Sequence, residues 1–273
     1  MRPLALLLAS LLLVQCSAPK VEIVAHRGAS AKAPENTLSA FNQAWKDGSD
    51  SCELDVYLTA DGKTAIIHDK DTQRTAGSKL LIAKSSRAQL DALEVGSWKA
   101  PQFRGEKIPT LDQALATLPK GQHRFFIEIK CGPEVIPEIT RVLDPMRDRA
   151  AQWVIIAFNR ETAAAAKKAL PWIKVYRLAS GKASAKTKTP PTSLQQLIAD
   201  TKSDGLDGLD LSLDGYPWDK AMLSQVRAAG LGIFVWTVNR PEDLERLIKV
   251  GVDGITTDDP ALARDIHRKL SGH

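Results

Sequence analysis

The sequence predicts an α/β fold: a (β/α)8 barrel with a short β-hairpin and a small insertion after its second strand. From about residue 20 onward, short apolar runs alternate with helical periods, the pattern of a parallel sheet with crossover helices. Nine runs read as strands, and two of them stand too close together for a crossover helix. One is therefore the return arm of a hairpin, and eight parallel strands remain. A chain of 273 residues, 44% of them hydrophobic, is long enough for one large core of this kind.

Strands are expected at 21–25, 52–58, 64–67, 124–129, 153–158, 173–176, 208–211, 233–238 and 253–256. Helical periods fall at 36–46, 111–117, 133–144, 161–170, 193–201, 219–229, 241–250 and 260–270. Pro133, Pro241 and Pro260 open three of these helices, where a missing N–H does no harm. Gly230 and Gly251 stand where helix stops are expected. Between the second and third strands lies Asp61-Gly62, a hairpin signal. With Asp61 and Gly62 as the central turn residues, Asp55 faces His68 across the hairpin. Residues 69–109 mix Gly77, Ser85-Ser86, Gly96 and Pro101 with a short helical stretch at 87–93. They are expected as an excursion over the barrel mouth rather than a second domain.

The chain opens with Met1-Arg2 and an apolar run, Leu4 to Val14, too short to span a bilayer comfortably. Residues 1–18 are read as a signal or lipoprotein-type targeting segment, and 19–273 as the barrel. Cleavage before Cys16 would leave a lipidated cysteine and a possible membrane attachment. Cleavage after Ala18 would release a soluble exported chain, and an uncleaved anchor is the third reading. Each places the body outside the cytoplasm, in the periplasm or on an outer membrane. Cys52 and Cys131 adjoin charged residues that would face a site. They are expected as unpaired thiols in the packing layer rather than as a disulfide.

The net charge of +5 is mild, aromatic residues are 5%, and no basic stripe appears, so nucleic acid is not an expected partner. No protein partner is evident. Lys182, Lys186 and Lys188 in the irregular 181–191 segment read as a solvated loop, with an anionic surface as the alternative.

Chemistry concentrates between His26 and His68. Glu53 and Asp55 are two apart on a strand, so their side chains share one face. Glu128, in Phe125-Phe126-Ile127-Glu128-Ile129-Lys130, nears the end of another strand, where barrel sites gather. A carboxylate among apolar neighbours needs a partner. Lys130 alone would serve, but with Glu53 and Asp55 at hand a shared cation is the better account. Three carboxylates without a thiolate cluster favour Ca²⁺ or Mg²⁺. His26 and His68 are strand-end histidines, for which a structural role is the ordinary reading. Together across a phosphodiester they would serve as base and acid. Arg27 is a bidentate phosphate binder, Gly28 admits close backbone approach, and Lys130 would offset phosphate charge. Glu35, in Pro34-Glu35-Asn36-Thr37, reads as part of a helix start. Trp236 is either a core residue or the wall of a pocket for a small polyol, and Phe158 is a similar, weaker candidate.

Seven segments occur in order: His26-Arg27-Gly28; Pro34 to Thr37; Glu53-Leu54-Asp55-Val56; Asp61-Gly62 followed by His68-Asp69; Ile127-Glu128-Ile129-Lys130; Val235-Trp236-Thr237-Val238-Asn239; and Gly251 to Pro260. As a set they resemble the glycerophosphodiester phosphodiesterases, over roughly residues 21–270. The resemblance implies a TIM barrel with a small insertion after His68. It implies a divalent cation on Glu53, Asp55 and Glu128, with His26 and His68 as the acid–base pair and Arg27 and Lys130 on the phosphate. It further implies attack by the neighbouring glycerol hydroxyl, a cyclic phosphate opened by water, and release of glycerol 3-phosphate. The choline, ethanolamine or glycerol head group leaves as the alcohol. The chain departs from the family pattern after His68-Asp69, where a Gly-rich stretch shrinks to Thr75-Ala76-Gly77. That departure bears on the lid over the leaving group. Two alternatives keep part of this picture: lysophospholipase D activity at the same site, and a lipoprotein that binds phosphodiesters without cleaving them.

Overall fold

In the computed structural model, which describes residues 21–183 and 190–272, nine strands and ten α-helices follow one another. The order is β1 (Glu22–Ala25), α1 (Leu38–Lys46), β2 (Ser51–Leu58), β3 (Thr64–Ile66), α2 (Gln73–Ala76), α3 (Arg87–Asp91), α4 (Leu111–Leu115), β4 (Arg124–Ile129), α5 (Ile136–Leu143), β5 (Trp153–Ala157), α6 (Arg160–Ala169), β6 (Lys174–Ala179), α7 (Leu194–Ser203), β7 (Gly208–Ser212), α8 (Lys220–Ala228), β8 (Gly232–Trp236), α9 (Pro241–Val250), β9 (Gly254–Thr257) and α10 (Pro260–Ser271). Residues 1–18, expected above as a targeting segment, with Cys16, and Lys186 and Lys188 lie outside the described residues. Lys182 is described, and it pairs with Asp214 at 2.6 Å.

Eight strands run parallel around a ring, and β1 closes it by pairing with both β2 and β9. β3 lies outside the ring as the antiparallel partner of β2. The strand pleat sorts the side chains. On β2, Cys52, Leu54 and Val56 pack outward against the helices, while Glu53 and Asp55 alternate to the other face. On β4, Phe125, Ile127 and Ile129 pack outward and Phe126 inward. The barrel interior is filled by Val24, Phe126, Val154, Ile156, Tyr176, Leu178 and Phe234, a plug on which the polar mouth rests. Cys52 is buried and unpaired, and Cys131 is a half-buried free thiol against the same layer.

The hairpin register differs from the expected one. Val56 pairs with Ile66 and Leu58 with Thr64, so the Asp55 carbonyl accepts from Ile67, not His68. The Gly62 N–H donates to the Thr59 carbonyl, and Gly62 takes φ of 74°. That is a type I turn followed by a left-handed glycine, a three-residue loop that shifts the return arm by one. His68 lies past the end of β3, and this displacement leaves it at the barrel mouth.

Residues 69–109 carry α2, α3 and two 3-10 turns at Ile82–Lys84 and Pro101–Phe103. They bury Ile82, Leu90, Val95 and Ile108 against Ala65 and Ile67 of the return arm. Among the described residues, no helix is long and apolar enough to cross a membrane.

Candidate active site

At the C-terminal ends of the strands lies a cavity of about 170 Å³. His26, Arg27, Glu53, His68, Glu128, Lys130, Phe158 and Trp236 all line it. Of the expected site residues only Asp55 is not a lining group, and it sits directly behind the others: Glu53, Asp55 and Glu128 bring carboxylate oxygens within 4.8 Å of one another. All three are buried. A larger cleft of about 1020 Å³ opens at the opposite end of the barrel. There Glu22 pairs with Arg124, and Asp50 with Arg264 beside the cleft.

The chain leaves β1 through two left-handed residues, Arg27 at φ 55° and Gly28 at φ 79°. A Cβ on Gly28 would stand 2.5 Å from the Ala40 backbone, so only glycine lets α1 sit this close. The Arg27 N–H donates to Glu53 at 2.8 Å, its Nη1 donates to Glu35 at 2.9 Å, and its Nε lies 3.3 Å from Asp55. Asn36, also left-handed at φ 58°, donates to Asp55 at 2.7 Å and accepts from the Asp55 N–H at 3.2 Å. Thr37 caps α1. The segment Pro34 to Thr37 thus does more than begin a helix. Its Asn36 fixes the Asp55 carboxylate, and its Glu35 joins Arg27 to Arg74.

Each histidine has an aspartate behind it. His26 Nδ1 lies 2.6 Å from Asp258, which also accepts from Ser30 at 3.0 Å and Asn239 at 2.6 Å. Burial raises the Asp258 pKa, yet the bonds from His26, Asn239 and Ser30 outweigh it and hold the carboxyl at about 2. His68 Nδ1 lies 2.8 Å from Asp69. Burial, then the cations Arg27 and Lys130, pull His68 below the usual imidazole range against Asp55 and Asp69. In both rings Nδ1 is occupied, which leaves Nε2 for the cavity. Arg74 of α2 ties the two flanks together. It donates to Asp69 from Nε at 2.7 Å and to both Glu35 oxygens at 2.7 Å.

The ion pair between Lys130 and Glu128 forms at 2.7 Å, and Lys130 also stands 3.4 Å from Asp55. It does not complete the cluster, because Glu53 Oε1 and Asp55 Oδ1 remain buried without hydrogen-bond partners. Burial, then Asp55 and Glu128, push Glu53 well above the carboxylate range. Burial, then Asp55, push Glu128 up to about 7. Asp55 is raised by burial but held below its ordinary value by Lys130, Arg27, His68 and the Asn36 bond. Like charges crowded in a dry site, with oxygens left over, are the donor set of a hard divalent cation.

The opposite wall is apolar. Trp236 is half-buried, donates from Nε1 to the Asp210 carbonyl at 3.0 Å and meets Phe158 edge-on at 5.4 Å between centroids. Phe158 is 40% exposed at the rim. Both therefore wall the cavity rather than fill the core. Four contributors escaped the sequence reading: Arg74, Asp258, Asn239 and Asp210. Asp210, in Leu209-Asp210-Leu211 of β7, carries the signal that marked Glu128, an acid inside an apolar strand.

The model of the glycerophosphoryl diester phosphodiesterase family matches residues 26–262. A glycerophosphodiester phosphodiesterase of Caldanaerobacter subterraneus is 31% identical over 255 residues, 92% of this chain and 99% of the relative. One from Bacillus subtilis is 28% identical, over 92% of this chain and 88% of the relative. The structure of an Oleispira antarctica phosphodiesterase, in complex with its product sn-glycerol-3-phosphate, superposes with a TM-score of 0.78 at 28% identity, over 90% of this chain and 96% of the other. The chain belongs to the glycerophosphoryl diester phosphodiesterase family.

Proposed function

We propose that the chain hydrolyses glycerophosphodiesters, such as glycerophosphocholine or glycerophosphoethanolamine, to glycerol 3-phosphate and an alcohol. The observation that carries this is the meeting of two aspartate-backed histidines and three buried carboxylates in one cavity. Capture without cleavage would need no pair of proton carriers.

Glu53, Asp55 and Glu128 would hold one divalent cation, Ca²⁺ or Mg²⁺; Glu53 Oε1 and Asp55 Oδ1, buried and without hydrogen bonds, the latter with only Lys130 at 3.4 Å, fit that role. When bound, the cation supplies charge stabilisation to the phosphoryl oxygens. Arg27 and Lys130 flank the same oxygens and oppose the charge that grows on them. The hydroxyl beside the phosphate attacks phosphorus. One histidine accepts its proton and the other protonates the departing alcohol oxygen. Water then opens the cyclic phosphate with those two roles exchanged. Asp258 and Asp69 hold the rings with Nε2 forward in both steps. The 69–109 insertion is read as shaping the leaving-group side of this single barrel.

Phosphorus NMR of glycerophosphocholine incubated with the full chain tests this. Glycerol 3-phosphate should accumulate, and His26→Ala and His68→Ala should each slow it by roughly 10²–10⁴-fold. Phosphocholine as product, or either variant at wild-type rate, would refute the assignment. The reading of residues 1–18 stands as a second proposal, export with lipid on Cys16, and rests on sequence alone. Metabolic palmitate labelling that persists in Cys16→Ala would end it.

A further inference from the structure

Asp210 has no part in the chemistry above, yet it is the other buried acid of the cavity. Its residue is 2% exposed, and Oδ1 has no hydrogen-bond partner. Its backbone is busy in the β7 ladder and its carbonyl receives the Trp236 indole, so the strand and the aromatic wall fix where the carboxyl stands. Around the ring of eight strands, β7 is four places from β2, diametrically across from Glu53 and Asp55. Its surroundings include the buried apolar Ile156 and Leu178 and, near enough to repel a charge on it, the Glu128 carboxylate. A polar oxygen left bare among them is costly unless a ligand group meets it.

We infer that Asp210 is a specificity residue whose carboxyl oxygen accepts a hydrogen bond from the terminal hydroxyl of the substrate's glycerol. The inference rests on the function proposed above and deepens it. The phosphate and its adjacent hydroxyl are accounted for by the carboxylate cluster, Arg27, Lys130 and the histidines. The terminal hydroxyl is the polar group left over, and it lies farthest along the glycerol from phosphorus. Asp210 is the deeply buried end of this lining, 2% exposed, whereas Phe158 at the rim is 40% exposed. A buried end suits the invariant glycerol. The open rim suits an alcohol that varies and must depart. A carboxyl oxygen accepts from a hydroxyl whether or not the acid is ionised, so the contact does not depend on the charge of Asp210.

The test compares two diesters with the full chain: glycerophosphocholine and 2-hydroxypropyl phosphocholine, which keeps the attacking hydroxyl and lacks the terminal one. Wild type should prefer the glycerol diester by about 10–100-fold in kcat/KM, the worth of one buried hydrogen bond made or left unmade. Asp210→Leu should erase that preference by lowering only the glycerol diester. Asp210→Asn, which keeps an acceptor oxygen, should retain most of it and controls for folding. An unchanged preference in Asp210→Leu overturns the inference, and so does an equal loss on both diesters with Asp210→Asn folded. A change that instead tracks the leaving alcohol, choline against ethanol, also overturns it by placing the carboxyl beside the departing group. Wild type inactive on both diesters would bring down the proposed function itself, and the inference with it.

Discussion

Arg74→Gln should cost the enzyme about tenfold in kcat/KM, although Arg74 stands outside the cavity. Its guanidinium makes three charge-assisted bonds of 2.7 Å, one to Asp69 and two to Glu35. Its side chain is 42% exposed, so screening leaves each bond worth roughly 0.5–1 kcal/mol. The three sum to roughly 1.5–3 kcal/mol, and they hold Asp69 behind His68 and Glu35 behind Arg27. If about half is expressed as lost placement of those two groups, the barrier rises by about 0.75–1.5 kcal/mol, or roughly 4- to 13-fold. The loss should fall mainly on kcat, with Arg74→Lys recovering only part because it cannot grip two carboxylates as a fork. The assay is steady-state hydrolysis of glycerophosphocholine, run as a cycle with Asp69→Asn. Both changes loosen the same histidine, so the double variant should lose less than the sum of the singles. A wild-type kcat in Arg74→Gln, or strict additivity in the cycle, would refute the reasoning.

Ca²⁺ or Mg²⁺ at 100 times its dissociation constant should stabilise the chain by about 2.7 kcal/mol, a rise of several degrees in melting temperature. Glu53→Gln should remove most of that rise, and an undiminished shift in calorimetry would refute Glu53 as a ligand. In EDTA the pH dependence follows from Glu128. Its pKa in the folded chain, about 7, lies above its ordinary 4.5, so the folded state holds the proton longer. The stability from this group is complete below 4.5 and is lost as pH rises through about 7. Glu53, shifted the same way, adds to the slope, while Asp55, shifted down, acts at the acid end. His68, shifted down, contributes the opposite slope to wild type and variant alike, so the EDTA-treated wild type should lose melting temperature relative to Glu128→Gln between pH 5 and about 7.5. A difference between the two that stays constant or grows in favour of wild type across that interval would contradict the assignment.

The barrel was legible because its signals are local. Apolar runs and helical periods repeat along the chain, and a strand pair without room for a helix betrays the hairpin. Glu53, Asp55 and Glu128 were legible for the same reason, as acids placed by strand alternation on a face where acids do not belong unpaired. The register of the hairpin was not, because Ala60-Asp61-Gly62 forms a three-residue loop with a left-handed glycine. The Asp-Gly pair is compatible with the shorter turn as well. Asp258 was not legible either. It follows β9, 232 residues from the His26 it supports, and only ring closure brings them together. Arg74 sits in a short helix of the insertion, where an exposed arginine carries no sequence mark of its two carboxylate partners. Asp210 could have been found by the argument applied to Glu128, but its neighbours two places away on the strand are Gly208 and Ser212, so no second acid shared its face to draw attention to β7.

The central claim is that one cation-dependent site, built on His26, His68, Glu53, Asp55 and Glu128, cleaves glycerophosphodiesters. Glycerol 3-phosphate release from glycerophosphocholine by the purified full chain, with EDTA and then with Ca²⁺ or Mg²⁺ restored separately, tests it most directly. The account requires product that vanishes with EDTA and returns with one of the two ions. Undiminished release in EDTA would contradict it, and so would silence with both ions.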